Sequence, residues 1–434
     1  MMKIFARLMC LFLIAAGRVA LAQDAVDRLD MAAHEAYDAQ EYDRAIALWS
    51  QVVAREPKDA TAWFNRATAY EDKKEPDKAI ADYSEAIRLD PKDADSYERR
   101  AALYEQAGDK EKALADYTEL AALRPEDADV RGELAQLHAD KGENDKALAD
   151  YSAVIEIDPK DPMGYYNRGT FYLNYVLDYD KAIADLSAGL KISPRPDAYC
   201  ARAVAYLAKG DTASALADSN EAIKMYPNDS EAYLARGMIY SQTGDNDKAF
   251  ADFDQAIKIN PAYPEAYNRR GSLHAAKGEH DQALADFAKA LEIDPKNAEA
   301  YEDRGDAYCA SHEWDKAVVD LKKALELAGP ANAPALNALA WFYATCPKAG
   351  LRDGAKSMEL AAKACELSEW KDDGIIDTLA AAEAESGKWE DALKHEKQAE
   401  EIANAAKRDD KTIKDYDSRI ALYEQKKSYQ DERK

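Results

Sequence analysis

The sequence predicts an all-α solenoid of antiparallel helix pairs, and three observations predict it. Proline returns at Pro57, Pro91, Pro125, Pro159, Pro194, Pro227, Pro261, Pro295 and Pro330, at intervals of 33 to 35 residues. A period of that size marks stacked units, each burying its apolar face only against its neighbours. Within each period two runs carry aromatic and small residues at i, i+4 and i+7, the spacing of one helix face. The composition agrees, because 47% hydrophobic and 32% charged residues with only 18 Gly and 15 Pro in 434 suit packed helices and exclude a disordered chain.

The chain starts with the pattern of a secretory signal over residues 1–22. Lys3 and Arg7 form a basic start, Leu8 to Gly17 an apolar stretch of ten, and Ala20-Leu21-Ala22 a small-x-small cleavage site. Ten apolar residues are too few to cross a bilayer as a helix, so no membrane span is expected once the segment is removed. Arg18 makes the cleavage region less regular and leaves an uncleaved anchor as the other reading. Removal of Lys3, Arg7 and Arg18 moves the formal charge from -25 to -28. A chain this acidic repels nucleic acid and anionic lipid, and no separate basic patch offsets it.

From residue 23 to 331 the repeat is explicit. In Ala60 to Asp93, Trp63, Ala67 and Tyr70 mark one helix, and Ala79, Tyr83 and Ala86 the next. Glu75-Pro76-Asp77 separates them, and Gly108, Gly142, Gly210, Gly244 and Gly278 stand near that offset elsewhere. Leu89-Asp90-Pro91 ends the second helix, since proline disfavours a helical residue before it and has no N–H to donate.

This pattern resembles the tetratricopeptide repeat. Tyr233, Gly237, Tyr240, Ala249, Phe253, Ala256 and Pro261 carry all of it, as do Tyr301, Gly305, Tyr308, Ala317, Ala324 and a late Pro330. Nine units are expected over 23–331. The first lacks aromatics in its opening helix, a later one has Arg131 where an aromatic belongs, and an extra residue near Leu177 to Lys181 reads as a longer turn. The resemblance implies a right-handed superhelix whose first helices line a concave face, and a non-catalytic protein-binding role. Two divergent helix pairs are expected over 332–405, with Gly387 at a turn, and a charged capping helix and tail over 406–434, striped by Ile413, Tyr416, Ile420 and Tyr423. The run LNALAWFYATCP is similar to the ends of bacterial cell-envelope members of the family, which implies a periplasmic or extracellular place.

Offsets next to the packing positions name the residues that would meet a partner. Met163, Tyr166, Leu173, Cys200, Val204, Leu207, Leu234 and Met238 form an apolar run; it either lines a groove or packs between neighbouring first helices. Asp129 and Glu133 precede it, and Glu299, Glu302, Asp303 and Asp306 follow. Such a lining fits a protein or peptide ligand with apolar anchors and basic flanks. A structural spacer or self-associating element is the other reading, and the sequence leaves the oligomeric state open. The family's clamp for acidic chaperone tails does not carry over: Asn65 and Arg99 match it, but Asp30, His34 and Asp95 stand where Lys, Asn and Lys are needed.

An Arg precedes the small packing residue in most repeats, with an Asp 16 or 17 positions on, as in Arg66 and Asp82 or Arg236 and Asp252. An ion pair between the two helices of a repeat is expected, of up to about 1 kcal/mol if half exposed. Leu134 opposite Asp150 breaks the rule. Cys346 and Cys365, at the end of one helix and on the next, form a candidate disulfide in an oxidising compartment; Cys200 and Cys309 are expected to stay unpaired. No cofactor, metal or catalytic set is expected, because His34, His138, His274, His280, His312 and His395 lack ligand spacing and no nucleophile or phosphate-loop motif occurs.

Overall fold

The structure, a computed structural model, describes residues 23–431 and divides into two compact units, one ending at Pro194 and one starting at Arg195. The expected signal segment, residues 1–22, lies outside the described residues, as do 432–434. The first unit holds α1 (23–38), α2 (Tyr42–Arg55), α3 (Ala60–Asp72), α4 (Pro76–Leu89), α5 (Ala94–Gln106), α6 (Lys110–Leu123), α7 (Ala128–Asp140), α8 (Asn144–Ile157), α9 (Pro162–Phe171) and α10 (Tyr179–Ile192). The second begins with α11 (Pro196–Ala208), α12 (Thr212–Met225), α13 (Ser230–Gln242), α14 (Asn246–Ile259), α15 (Pro264–Ala276) and α16 (His280–Ile293). It continues with α17 (Ala298–Ala310), α18 (Trp314–Ala328), α19 (Ala333–Thr345), α20 (Gly354–Leu367), α21 (Asp373–Glu385), α22 (Trp389–Ala405) and α23 (Asp410–Glu424). All described regular structure is helical, and within each unit odd-numbered helices pack on the even-numbered helices that follow them.

The recurring proline sits in a turn that stops one repeat and starts the next. α4 ends at Leu89, and the Asp90 side chain accepts from the Lys92 N–H at 3.0 Å. Asp93 then caps α5 by accepting from the Ser96 N–H at 3.3 Å. Each such cap satisfies N–H groups that have no partner inside the helix. The turn inside a repeat closes differently, as at Gly244, whose φ of +79° lets the Asp245 N–H reach the Tyr240 carbonyl at 2.9 Å. That is a Schellman closure, which favours glycine because a Cβ crowds the left-handed conformation. Lys74 adopts φ +64° in the same role, where Glu75-Pro76 was read as the break.

Between paired helices the core is small against large. Ala79, Ala113, Ala147, Ala182, Ala215, Ala249, Ala283 and Ala317 are wholly buried, and Tyr83, Phe253 and Phe287 fill the spaces beside them. Alanine there allows close helix approach while costing nothing in helix propensity.

The extra residue near Leu177 is not a longer turn. It is taken up by a π-helical turn, Tyr172–Val176, that extends α9, followed by Leu177 at φ +58°. An i→i+5 turn holds one more residue than an α turn, so the next helix resumes in register. At the C-terminal end Tyr416 and Tyr423 are buried as the apolar stripe requires, but Arg419 is buried between them. Its Nε lies 2.7 Å from Asp377 and 2.9 Å from the wholly buried Glu396, and burial pushes both carboxyl groups up.

Candidate functional site

The repeated Arg and Asp orient the first helix of each pair. Arg66, Arg100, Arg168, Arg202, Arg236, Arg270 and Arg304 each grip their Asp through Nε and Nη2 at 2.6 to 2.9 Å. The bidentate fork fixes angle as well as distance. Several of these arginines also reach back to the preceding repeat, Arg100 Nη1 to Ser84 at 2.8 Å and Arg236 Nη1 to Asn220 at 2.7 Å. Aromatic rings flank them on their own helix, such as Tyr233 and Tyr240 at 5.5 and 5.9 Å from Arg236. The rung that the sequence breaks at Leu134 is rebuilt from either side: Arg131 Nη1 meets Asp150 at 3.1 Å and His138 Nδ1 meets its other oxygen at 2.9 Å.

The same helix, α7, borders a cavity in the first unit. Gly132 occupies the register filled by Phe64, Glu98 and Tyr166 in neighbouring repeats, and a Cβ added there would touch nothing within 4 Å. The missing side chain helps open a cavity of about 830 Å³ between α7 and α9. Asp129, Glu133 and Gln136 line one wall; Met163, Asn167, Thr170 and Asn174 line the other. One end is aromatic, with Phe171 stacked on Tyr175 at 5.0 Å and Tyr151 behind it at 5.4 Å. Tyr175 is 52% exposed and Met163 39%. Burial, then Glu105 and Asp129, push the Glu133 carboxyl above its ordinary value, so the wall favours a cation. The π turn carries Asn174 and Tyr175 and thus belongs to the site.

Of the expected apolar run, Met163, Tyr166 and Leu173 belong to the first unit, and Cys200, Val204, Leu207, Leu234 and Met238 to the second. Tyr166, Leu173, Cys200 and Leu234 are buried as packing. Tyr166 lies over Gly189, and its hydroxyl donates to the Ser193 carbonyl. Leu207 and Met238 are half-buried against neighbouring clusters, and Val204 is exposed. Of the eight, only Met163 lines the large cavity.

The acidic residues gather on α17. Glu299 pairs with Arg269 at 3.0 Å, and Asp303 accepts from Asn268 at 3.0 Å and Ser272 at 3.1 Å. Glu302 and Asp306 line a cavity of about 320 Å³ with Asn337 and Trp341 of α19 and Asp377 and Thr378 of α21. Burial first, then Asp306, Asp303 and Glu299, push Glu302 up to about 7. Asp303 rises to about 6 through burial and Glu299, against the two hydrogen bonds it accepts.

The candidate disulfide is corrected. Neither Cys346 nor Cys365 is bridged; Cys346 packs with Leu339 and Phe342, while Cys365 lies among Ala361 and Ile376 and donates to the Ile375 carbonyl at 3.7 Å. The helices are paired as expected, but each thiol is enclosed in a different apolar cluster. Burial pushes the Cys365 thiol up to about 12, which removes its nucleophilic form. Among the described residues no cluster of three His, Cys, Asp or Glu is arranged to hold a metal, and no helix is long and apolar enough to cross a membrane. His138, His274 and His395 each face a carboxylate in ion-pair geometry.

Stacked helix pairs with a ladder behind and an open first-helix face define a helical-repeat scaffold for binding proteins. Tetratricopeptide repeat profiles match residues 31–94, 83–115, 175–230, 200–264, 264–297 and 287–319, and a TPR repeat profile matches 135–174, together more than half of the sequence. The chain belongs to the tetratricopeptide repeat family. The chain is similar to solved structures. A tetratricopeptide repeat protein from Parabacteroides merdae is 22% identical with a TM-score of 0.50, over 57% of this chain and 98% of that one. Yeast Tom70 is 16% identical with a TM-score of 0.47, over 93% and 96%. Cut9–Hcn1 of the APC/C is 13% identical with a TM-score of 0.45, over 91% and 96%. No curated protein matches the sequence.

Proposed function

We propose that this chain is an exported, non-catalytic scaffold of the bacterial cell envelope that holds a peptide segment of a partner protein between α7 and α9. The observation that carries the reading is the cavity beside Gly132, large enough for several side chains and walled by an aromatic stack on one end and carboxylates on the other. An apolar anchor would pack on Phe171 and Tyr175, and a lysine or arginine farther along the segment would meet Asp129 and Glu133 near Met163. Asn167, Thr170 and Asn174 supply hydrogen bonds for the backbone between them. The start of the chain, with Lys3, Arg7 and Ala20-Leu21-Ala22, supports export.

Peptide display against the mature chain tests the binding reading. Selected peptides are expected to carry an aromatic or aliphatic residue flanked by Lys or Arg, and to bind Gly132→Tyr at least about tenfold more weakly, since the ring fills the cavity from a position with free space. Equal binding to that variant would remove the site. Export is tested by fusing residues 1–22 to a reporter active only outside the cytoplasm; an inactive fusion would overturn the location.

A further inference from the structure

The second unit already holds a non-helical segment against a first helix, and that segment is the chain's own tail. After α23 the backbone leaves helical geometry at Lys426, with φ +53°, and residues 427–431 run back to α19. The Asp431 N–H donates to the Thr345 carbonyl at 2.9 Å. Thr345 is the last residue of α19, so that carbonyl has no acceptor role inside the helix and needs an outside donor. Trp341 Nε1 donates to the Asp431 carboxylate at 2.9 Å, and the Tyr429 ring lies against Trp341 at 5.9 Å. The Arg419 guanidinium sits 5.7 Å from Trp341 and 5.4 Å from Tyr429, placing one cation beside both rings.

These contacts select a pattern. Tyr429 and Asp431, two residues apart, both reach Trp341. The anchoring of α23 itself rests on other residues, the buried Tyr416, Arg419 and Tyr423. The tail covers a helix-end carbonyl, an indole N–H, and a ring backed by a cation, beside the cavity lined by Glu302, Asp306 and Asn337, while Tyr429 also packs on the cluster of Ala380, Ala384, Ala392 and Tyr423.

We propose that this end of α19 is a binding site for an extended segment of a partner protein with an aromatic residue followed two positions later by an acidic one, and that residues 429–431 occupy it until such a segment displaces them. The site shares no residue with the α7–α9 cavity and stands or falls separately from it.

The test uses the full chain and a fluorescent peptide of residues 425–434 as the probe. The Tyr429→Ala/Asp431→Ala variant has its own tail released and is expected to bind the probe at least about tenfold tighter than the unsubstituted chain. A probe with alanine at both positions should lose that binding, and Trp341→Phe, which keeps a ring but removes the indole N–H, should weaken it several-fold. Equal probe binding by released and unsubstituted chains, or binding indifferent to the probe's alanines, overturns the proposal. So does a stable dimer of the unsubstituted chain that dissociates in the Tyr429→Ala/Asp431→Ala variant, because the tail would then serve a second copy.

Discussion

Asp252 is almost excluded from water, and two hydrogen bonds from Arg236 are what make its charge tolerable there. Truncating the arginine leaves a buried carboxylate without its partner, which costs about 3 kcal/mol or more. Arg236→Ala is therefore expected to destabilise α13 and α14 by more than a surface pair would, and a double-mutant cycle with Asp252→Ala should show a coupling of about 1–3 kcal/mol by hydrogen exchange. Additive effects would reduce the pair to independent charges. Glu302 makes a prediction of opposite character. Its carboxyl is raised to about 7 by burial and by three neighbouring acids, so between its ordinary value and about 7 the folded chain holds a proton that the unfolded chain releases. Stability contributed at this position is present at low pH and is lost as pH rises through that window. The melting temperature should fall less from pH 5 to pH 7.5 in Glu302→Gln than in the unsubstituted chain. The Arg and Asp of each rung were readable because both recur with the repeat. The rebuilt rung was not, because Arg131 and His138 lie a turn to either side of the expected position and only folding brings them to Asp150.

Helices and their turns were the most legible level, since proline, glycine and the aromatic-small pattern act on the backbone within a few residues. Gly244 and Lys74 show how far that reaches. Both close the same turn with φ near +60 to +80°, and the left-handed conformation costs a side-chain residue about 1–2 kcal/mol. Gly244→Ala should lower the urea midpoint, while Lys74→Gly should leave it unchanged or raise it. The π turn escaped the sequence reading because one inserted residue looks the same whether it lengthens a loop or bulges a helix. What decides is that Phe171 and Tyr175 stack, a contact invisible before the turn forms. Arg419 escaped for a similar reason, as it sits in a charged segment and its carboxylate partners are 42 and 23 residues away in sequence. Arg419→Met is expected to release α23, costing about 3–5 kcal/mol as two buried carboxylates lose their cation. Hydrogen exchange should show lost protection over 410–424 with α15 to α18 unchanged; retained protection there would contradict the assignment.

At the scale of the whole molecule the repeat period runs through two compact units, one ending at Pro194 and one starting at Arg195. Periodicity reports that neighbours resemble one another and is silent on how strongly they hold together. Each unit has its own buried clusters, and stability in stacked repeats is a sum of local and nearest-neighbour contributions. Chains covering 23–194 and 195–431 are accordingly expected to fold apart, each giving a helical circular dichroism spectrum and a cooperative melt. The candidate site was legible only in its acids and Met163, since the selection of apolar neighbours passed over Asn167, Thr170 and Asn174, which share the helix face.

Gly132 has a consequence for how such a chain diversifies. The same register holds Phe64, Glu98, Tyr166, Cys200, Leu234, Asn268 and Glu302 in the other repeats, while the ladder that holds each helix lies on different residues. In several repeats that side chain is itself packing, since Tyr166, Cys200, Leu234 and Asn268 are buried, so a recess opens where a repeat can do without it, as at Gly132. Where such a side chain is only half-buried, as at Phe64, its loss would open a second recess without reinventing the fold.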